Sequence, residues 1–329
     1  MKKIKLLWAI MFATVMSLGF TACSSDDDEP ENPQNDISQF ANPTMADEAA
    51  RFTITDADAP YSSVELTESG RYVVLSSANA QYLAPYQTKS KCQFASLNPA
   101  QSRSGADGIF TGKYTKVSEG KYILEGFGSI TVTTGSSQEA CELIICPENG
   151  TEIKLGAQKD EVLANDPTTL ALCRSWKCKQ YRARFTVNGN VVYDRSANFK
   201  DLSNLSKQIG QDIYNYVKKN GGDVEEMGSP SDCEPDFSDL ADEMIFTKTG
   251  SYLLFLNGQL SANIWRWGNK NEREIRYSHN ILDIQDPDYS GNAWLTFSGT
   301  QLIVYECHTE NDDEVTMKEE SWTTLFEIK

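Results

Sequence analysis

The chain has 329 residues, with 30 Lys and Arg against 47 Asp and Glu, and a formal net charge of −17. A protein this acidic repels the phosphates of nucleic acid, so nucleic acid is excluded as a partner. The length corresponds to about two domains. After the first 22 residues, no segment has the ~18 consecutive apolar residues that a membrane-spanning helix needs.

The first 22 residues have the pattern of a secretory signal peptide. A basic start, with Lys2, Lys3 and Lys5, precedes an apolar run over residues 6–20, and small residues come directly before Cys23. This order resembles the lipobox of bacterial lipoproteins, which implies cleavage after residue 22 and lipidation of Cys23. Cleavage removes three lysines and no acid, so the net charge changes from −17 to −20.

An acidic cluster follows the cysteine directly and resembles the surface-export signal of Bacteroidetes lipoproteins. The resemblance implies a protein anchored in the outer membrane through Cys23 and facing the cell exterior. Residues 23–46 contain many polar residues and few large apolar ones, which predicts a flexible acidic tether. The residues of the export signal are Ser24, Ser25, Asp26, Asp27 and Asp28.

Two sets of strand-like segments follow the tether. Residues 47–162 contain short β-branched and aromatic runs separated by Gly, Asn and Pro, the pattern of strands joined by tight turns. A break near residues 160–165 precedes a second set over residues 165–329, which we expect to fold alone. The sequence therefore predicts a mostly β protein with two antiparallel modules, each a meander or a barrel.

One segment departs from the β pattern. In residues 201–219, Leu205, Ile209 and Ile213 belong to an apolar series with intervals of three and four, which predicts an amphipathic helix. Such a stripe is most simply a face that packs on a sheet.

An internal similarity links the two halves. Residues 64–74 align without gaps on residues 244–254, and both share the order apolar–x–apolar–Thr–x–hydroxyl–Gly–x–Tyr. The pattern predicts a hairpin in which Gly70 and Gly250 adopt positive φ. Either a duplication or two unrelated hairpins with the same turn chemistry would produce it.

The second half resembles the lipocalin-like lipoprotein domains of Bacteroidetes. The resemblance depends on residues 172–177 as an opening strand, an inserted helix, residues 246–252, and residues 265–267 before the final strands. The family usually has Gly-Thr-Trp where this chain has Arg174, Ser175 and Trp176. The resemblance implies an antiparallel barrel, a possible ligand cavity and no catalytic residues.

Seven cysteines remain once Cys23 is assigned to the lipid, so at least one is free or pairs between chains. Disulfides and buried thiols both fit an exported protein. Two C-x4-C pairs lie in strand-like sequence, where a separation of five places the side chains on opposite faces and disfavours a metal site. The seven are Cys92, Cys141, Cys146, Cys173, Cys178, Cys233 and Cys307.

Motifs for catalysis, cofactors or metals are absent from the sequence, so no catalytic, cofactor-binding or metal-binding residue is predicted. The oxygen-rich segment 286–291 could hold calcium, but Pro287 indicates an ordinary turn. Four carboxylates could be arranged for glycoside hydrolysis, but nothing distinguishes them from the rest of an acidic surface. They are Glu142, Glu152, Asp283 and Asp286.

Four aromatic residues are the candidate ligand-facing set: Trp265, Trp267, Trp294 and Tyr277. The first two are two residues apart on a predicted strand and share a face. Three interpretations of these residues stay open: they form the core, they line a cavity, or they provide a stacking platform for a sugar. Our first hypothesis is a non-catalytic binding module for a small apolar ligand, a glycan or a partner protein. The alternatives are a carboxylate-based glycan-processing enzyme and a structural subunit of an outer-membrane complex.

Overall fold

The computed structural model describes most of the chain after residue 36. The predicted signal peptide, the predicted lipidation site Cys23, the predicted export signal and Cys92 lie outside the described residues. No helix within those residues combines the length and the apolar character that crossing a bilayer requires. The described residues are 37–77, 94, 103–104, 108–134, 140–148, 150–256, 259–279, 284–286, 289–312 and 315–328.

The N-terminal module is a closed antiparallel barrel of eight strands. Neighbours in sequence pair in turn, and the first strand closes the barrel on the last through Phe52 and Lys159. Alternate residues such as Val64 and Leu143 fill the interior, as the period of two requires. The strands are β1 (Ala50–Ile54), β2 (Tyr61–Leu66), β3 (Arg71–Ser76), β5 (Ile109–Ser118), β6 (Lys121–Leu124), β7 (Gly128–Thr134), β8 (Ala140–Pro147) and β9 (Ile153–Lys159).

The C-terminal module is a second closed eight-stranded barrel. Its first strand pairs with both the second and the last, which closes the sheet. Strand β11 (Asn190–Asn198) extends this sheet beside β10, and the two-residue strand β4 (Arg103–Ser104) adds to β14. The barrel strands are β10 (Ser175–Val187), β12 (Glu243–Phe246), β13 (Ser251–Leu256), β14 (Gln259–Asn269), β15 (Glu274–Ser278), β16 (Ser290–Ser298), β17 (Gln301–Asp312) and β18 (Val315–Glu327). The predicted class, mostly β with two antiparallel modules, is confirmed.

The predicted amphipathic helix is present as α2 (Leu202–Lys219). Its buried stripe, including Leu205, Ile209 and Ile213, packs on the ends of β10 and β18 through Phe185 and Met317. These strand residues continue the inner face of the barrel, so the helix covers one end of it. A short helix α3 (Val224–Met227) follows.

A short helix α1 (Pro167–Leu172) precedes β10 and was not predicted. The Asp166 side chain caps it by accepting hydrogen bonds from the backbone N–H groups of Thr168 and Thr169, at 3.1 and 3.2 Å. Asp followed by Pro is a recognised helix start. The opening strand of the barrel therefore begins at Ser175 and not at Leu172.

The two similar sequence segments form the same turn. In each, the Thr backbone N–H donates to the carbonyl four residues later, at 2.8 Å for Thr67 and 3.0 Å for Thr247. The φ angles of Gly70 and Gly250 are +78° and +89°, as the pattern predicts. An aromatic residue on the next strand completes each turn. Tyr114 Oη donates to the Thr67 carbonyl at 2.9 Å, and Trp265 Nε1 donates to the Thr247 carbonyl at 3.0 Å.

These two turns meet at the contact between the barrels. The Glu65 carboxylate accepts hydrogen bonds from the hydroxyls of Thr247, Thr249 and Ser251, at 2.8, 2.6 and 2.7 Å. All four residues are buried. A carboxylate buried in this way is stabilised only because its hydrogen bonds are complete.

Equivalent positions of the two turns contact each other directly. Glu68 accepts the backbone N–H of Lys248 at 2.9 Å, and these residues align in the repeat. Contact between equivalent residues is what a twofold relation produces. This contact favours a duplication over two unrelated hairpins. Apolar residues pack together in the rest of the interface. The apolar residues are Val73, Leu75, Ile109, Ile245, Leu253, Leu260 and Ala262.

The end of the predicted tether packs on the barrels. Phe40 belongs to the core of the C-terminal barrel, and the Arg174 guanidinium lies 4.9 Å from its ring centroid. Arg174 Nη2 also donates to the Ala41 carbonyl at 3.2 Å. The tether boundary at residue 46 is therefore corrected, because residues 37–46 contribute a buried ring and hydrogen bonds to the folded body.

Candidate binding surface on the C-terminal barrel

Three of the four candidate aromatics lie inside the C-terminal barrel. Trp265 and Tyr277 are at most 1% exposed, and Trp267 packs partly buried against the same core. The Trp265 and Trp267 rings are perpendicular, with centroids 5.4 Å apart. Phe94, which lies in the sequence between β3 and β4, stacks on Tyr252 of this barrel with centroids 5.4 Å apart. The middle of this barrel is filled by packed rings, so these three residues act as core.

Trp294, the fourth candidate, faces outward and is half-buried. It is the cross-strand partner of Tyr305, which is in turn the partner of Trp322. The ring centroids are 5.9 Å apart for the first pair and 5.2 Å for the second, with interplanar angles of 42° and 34°. We call Trp294, Tyr305 and Trp322, together with Arg182, the outer strip.

Arg182 extends the strip onto β10. It is the cross-strand partner of Trp322, and its guanidinium carbon lies 4.4 Å from the Trp322 ring centroid. Two hydrogen bonds of 2.8 Å to Asp194 form a bidentate arrangement that fixes the orientation of the guanidinium. Hydrogen bonding to Arg182 holds the pKa of Asp194 below its usual range.

A second polar group borders the strip at its centre. Tyr305 Oη donates to Glu320 at 2.9 Å, and Glu320 pairs with Arg184 and Lys318 at 3.6 and 3.2 Å. Burial, followed by the nearby Cys307 and Glu320, raises the pKa of Tyr305, so its hydroxyl stays protonated. The strip thus combines aromatic faces with hydrogen-bonding groups of both signs.

Sequence reasoning found one residue of the strip and missed Arg182, Tyr305 and Trp322. Of these, only Tyr305 lies on a predicted strand, at residues 302–305, where alternation could assign it an outward position. Their alignment in one row depends on the register between four strands, which a single sequence does not specify.

A pair of carboxyl groups lies on the inner face of the same strands, next to the end covered by α2. Glu306 accepts hydrogen bonds from the Tyr277 hydroxyl and, at 3.3 Å, from Ser321 Oγ. Glu319 is its diagonal neighbour across β17 and β18. Burial and the charge of Glu306 raise the pKa of Glu319 to about 7. This group can carry a proton at neutral pH.

The four carboxylates considered for hydrolysis are not gathered at one site. Glu142 lies on β8 and Glu152 just before β9, both in the N-terminal barrel, whereas Asp286 lies between β15 and β16 of the other barrel. Asp283 falls outside the described residues. Within the described part of the chain, no group of three or more His, Cys, Asp or Glu is placed to hold a metal ion.

Five of the described cysteines, Cys141, Cys146, Cys173, Cys178 and Cys233, are free thiols. Cys173 and Cys178 are buried in the C-terminal core, and burial raises the pKa of both. Cys141 packs against the N-terminal core whereas Cys146 is exposed, so this pair lies on opposite faces as its spacing predicts. Buried thiols of raised pKa are poor nucleophiles and poor metal ligands at neutral pH.

Comparison with known proteins gives few matches. No family model and no curated protein matches the chain. Among solved structures, it is similar to mutant forms of the vaccine antigen transferrin binding protein B from Haemophilus parasuis, at 8% identity and a TM-score of 0.21 for the double mutant. The alignment covers 84% of this chain and 63% of that protein, so the chain spans less than two thirds of its length.

The chain is also similar to a protein of unknown function from Nostoc punctiforme, a member of the DUF3598 family. That alignment has 8% identity and a TM-score of 0.20, and covers 85% of this chain and 94% of the other. Alignments at these scores do not establish a shared fold. The barrels and the outer strip are therefore described from this chain alone.

Proposed function

We propose that the protein is a non-catalytic binding module, lipid-anchored through Cys23 on the outer face of the outer membrane, and that it binds through the outer strip. The observation that carries the binding role is the row of half-buried rings formed by Trp294, Tyr305 and Trp322. Aromatic rings are most often buried, and rings gathered in a row on a surface are a recurrent basis for recognition.

The interior of the C-terminal barrel supports the same choice of surface. Trp265, Phe246 and Tyr252 are all fully buried there. A small apolar ligand is accordingly less well supported than a glycan or a partner protein. Inside the barrel, the Glu306 carboxylate is engaged by Tyr277 and Ser321, which favours a structural role for the carboxyl pair over catalysis.

The anchor is tested by fractionation. Cys23→Ala should abolish lipidation and release the protein from the membrane fraction. Joint replacement of Asp26, Asp27 and Asp28 by Ala should leave lipidation intact and reduce cleavage by protease added to whole cells. Membrane association of Cys23→Ala after a salt wash would contradict the anchor, and unchanged cleavage would contradict the export signal.

The binding surface is tested by retention. Full-length protein in mild detergent is immobilised, and a mixture of polysaccharides and proteins from the growth medium is passed over it. We expect retention by the natural protein and by Tyr216→Ala, which removes a half-buried ring on α2, and loss of retention for Trp322→Ala. Retained material should elute with unchanged mass. Equal retention by all three would contradict the proposed surface, and fragments in the eluate would favour the enzyme alternative.

A further inference from the structure

We infer that the outer strip binds a neutral glycan, with successive sugar rings stacked along Trp294, Tyr305 and Trp322. This inference rests on the proposed binding role of the strip and specifies its ligand. It follows from three properties of the surface: the arrangement of the rings, the polar groups at its border, and the balance of charge around it.

The rings are arranged as a ladder and not as a cluster. Each belongs to a different strand, and the centroids of neighbouring rings, which are cross-strand partners, are 5.9 and 5.2 Å apart. A pyranose ring has an apolar face of C–H groups, and its length along an extended glycan is close to this separation. Each ring of the ladder can therefore contact one sugar.

The tilt between neighbours fits the same ligand. The interplanar angles of 42° and 34° mean that the rings do not form one flat plane. The tilt follows the twist between adjacent strands of the barrel. A chain whose rings rotate about each glycosidic bond can follow such a twisted row, whereas a single rigid planar ligand would contact only one ring.

Hydrogen-bonding groups lie beside the rings at fixed positions. Arg182 presents N–H donors and is held in place by Asp194. Glu320 is buried and engaged by Tyr305, Arg184 and Lys318, so it fixes the position of the Tyr305 hydroxyl. Sugar hydroxyls accept hydrogen bonds, so one ligand can contact the rings and Arg182 together.

Charge distinguishes a neutral ligand from a charged one. Arg182 is paired with Asp194, and Glu320 is paired with Arg184 and Lys318, whereas Glu274, the cross-strand partner of Trp294, adds a further acidic side chain beside the strip. The whole chain carries a charge of −17 and repels polyanions.

The test uses an array of immobilised neutral hexasaccharides built from glucose, mannose, xylose or N-acetylglucosamine. Full-length protein in mild detergent is applied, and bound complexes are followed by tryptophan fluorescence. We expect at least one hexasaccharide to bind and to quench the fluorescence. Trp322→Ala and Trp294→Ala should each weaken that binding about tenfold or more, and Trp322→Phe should recover most of it, because an aromatic face remains.

Arg182→Gln and Tyr216→Ala separate the strip from general stability. Arg182→Gln should weaken binding several-fold without loss of the folded circular dichroism signal, and Tyr216→Ala should leave binding unchanged. Absence of strip-dependent binding to every hexasaccharide, with strip-dependent retention of protein from the growth medium, would overturn the glycan and leave the binding role intact. Absence of strip-dependent retention of any material would overturn both.

Discussion

The two barrels share a strand number and a turn but differ in the length of their strands. In the C-terminal barrel, β10, β17 and β18 have 13, 12 and 13 residues, whereas the longest strand of the N-terminal barrel, β5, has 10. The added length carries α2 on its inner face, whereas the outer strip lies where β17 still pairs with the nine-residue β16. The strand length beyond that needed to close the barrel therefore positions the helix.

The largest expected effect is the difference in stability between replacing one ring inside and one ring outside the C-terminal barrel. Trp265→Ala removes a fully buried ring and its hydrogen bond to Thr247, so we expect a loss of about 3–5 kcal/mol in the free energy of unfolding. Trp294→Ala removes a half-buried ring and should cost about 1 kcal/mol. Urea unfolding followed by circular dichroism measures both, and equal losses would refute the assignment of inner and outer faces.

The contact between the barrels should depend on one carboxylate. Glu65→Ala removes three hydrogen bonds and leaves the hydroxyls of Thr247, Thr249 and Ser251 buried without that acceptor, so we expect a loss of about 3 kcal/mol. The control is Glu119→Ala, whose side chain is 94% exposed, with an expected change within about 0.5 kcal/mol. A similar small change for both would show that this cluster does not stabilise the fold.

Local sequence patterns predicted much of the fold. Alternation indicated the strands, and the intervals among Leu205, Ile209 and Ile213 indicated α2, because the side chains that make these patterns lie a few residues apart. The shared turn was also readable, since its Thr and Gly residues act on their own backbone. The structure confirms the class and adds the closure of both barrels, which depends on pairing between distant strands.

The candidate surface was far less predictable. Trp265 and Trp267 were correctly placed on one face, but the sequence did not state whether that face was inward. The partnership of Trp294 with Tyr305 and Trp322 is set by strand register, and a shift of one residue would send each ring to the other face. The packing of Phe40 was missed because its surroundings are polar and its partner Arg174 is over 130 residues away.

The two equivalent glycines provide a finer comparison of the barrels. Both have positive φ, so either change to Ala should cost about 1–2 kcal/mol from the backbone alone. A Cβ at Gly70 would meet only Met45, at 3.5 Å, whereas one at Gly250 would collide with the Arg266 guanidinium and approach Leu163 at 3.1 Å. Gly250→Ala should therefore lower the melting temperature more than Gly70→Ala. The reverse order would contradict the closer packing of the C-terminal turn.

The smallest expected effect concerns Glu319 and its dependence on pH. Its pKa is raised to about 7 in the folded protein, above the ordinary value of about 4.3. Below pH 4 the carboxyl is protonated in both states and contributes nothing to the pH dependence. As the pH rises, the unfolded chain ionises first, so the free energy of unfolding falls until about pH 7 and is then constant with respect to this group.

Glu319→Gln removes the titration of this side chain. We therefore expect the free energy of unfolding of the variant to rise by about 1–2 kcal/mol relative to the natural protein between pH 4 and pH 8, allowing for partial solvent screening. Thermal melts of both proteins at the two pH values measure this gain, and Glu119→Gln is the surface control. Glu68, whose pKa burial raises to about 8, titrates in both proteins and cancels in the difference. A constant difference in melting temperature across this range would show that burial beside Glu306 does not disfavour the Glu319 carboxylate.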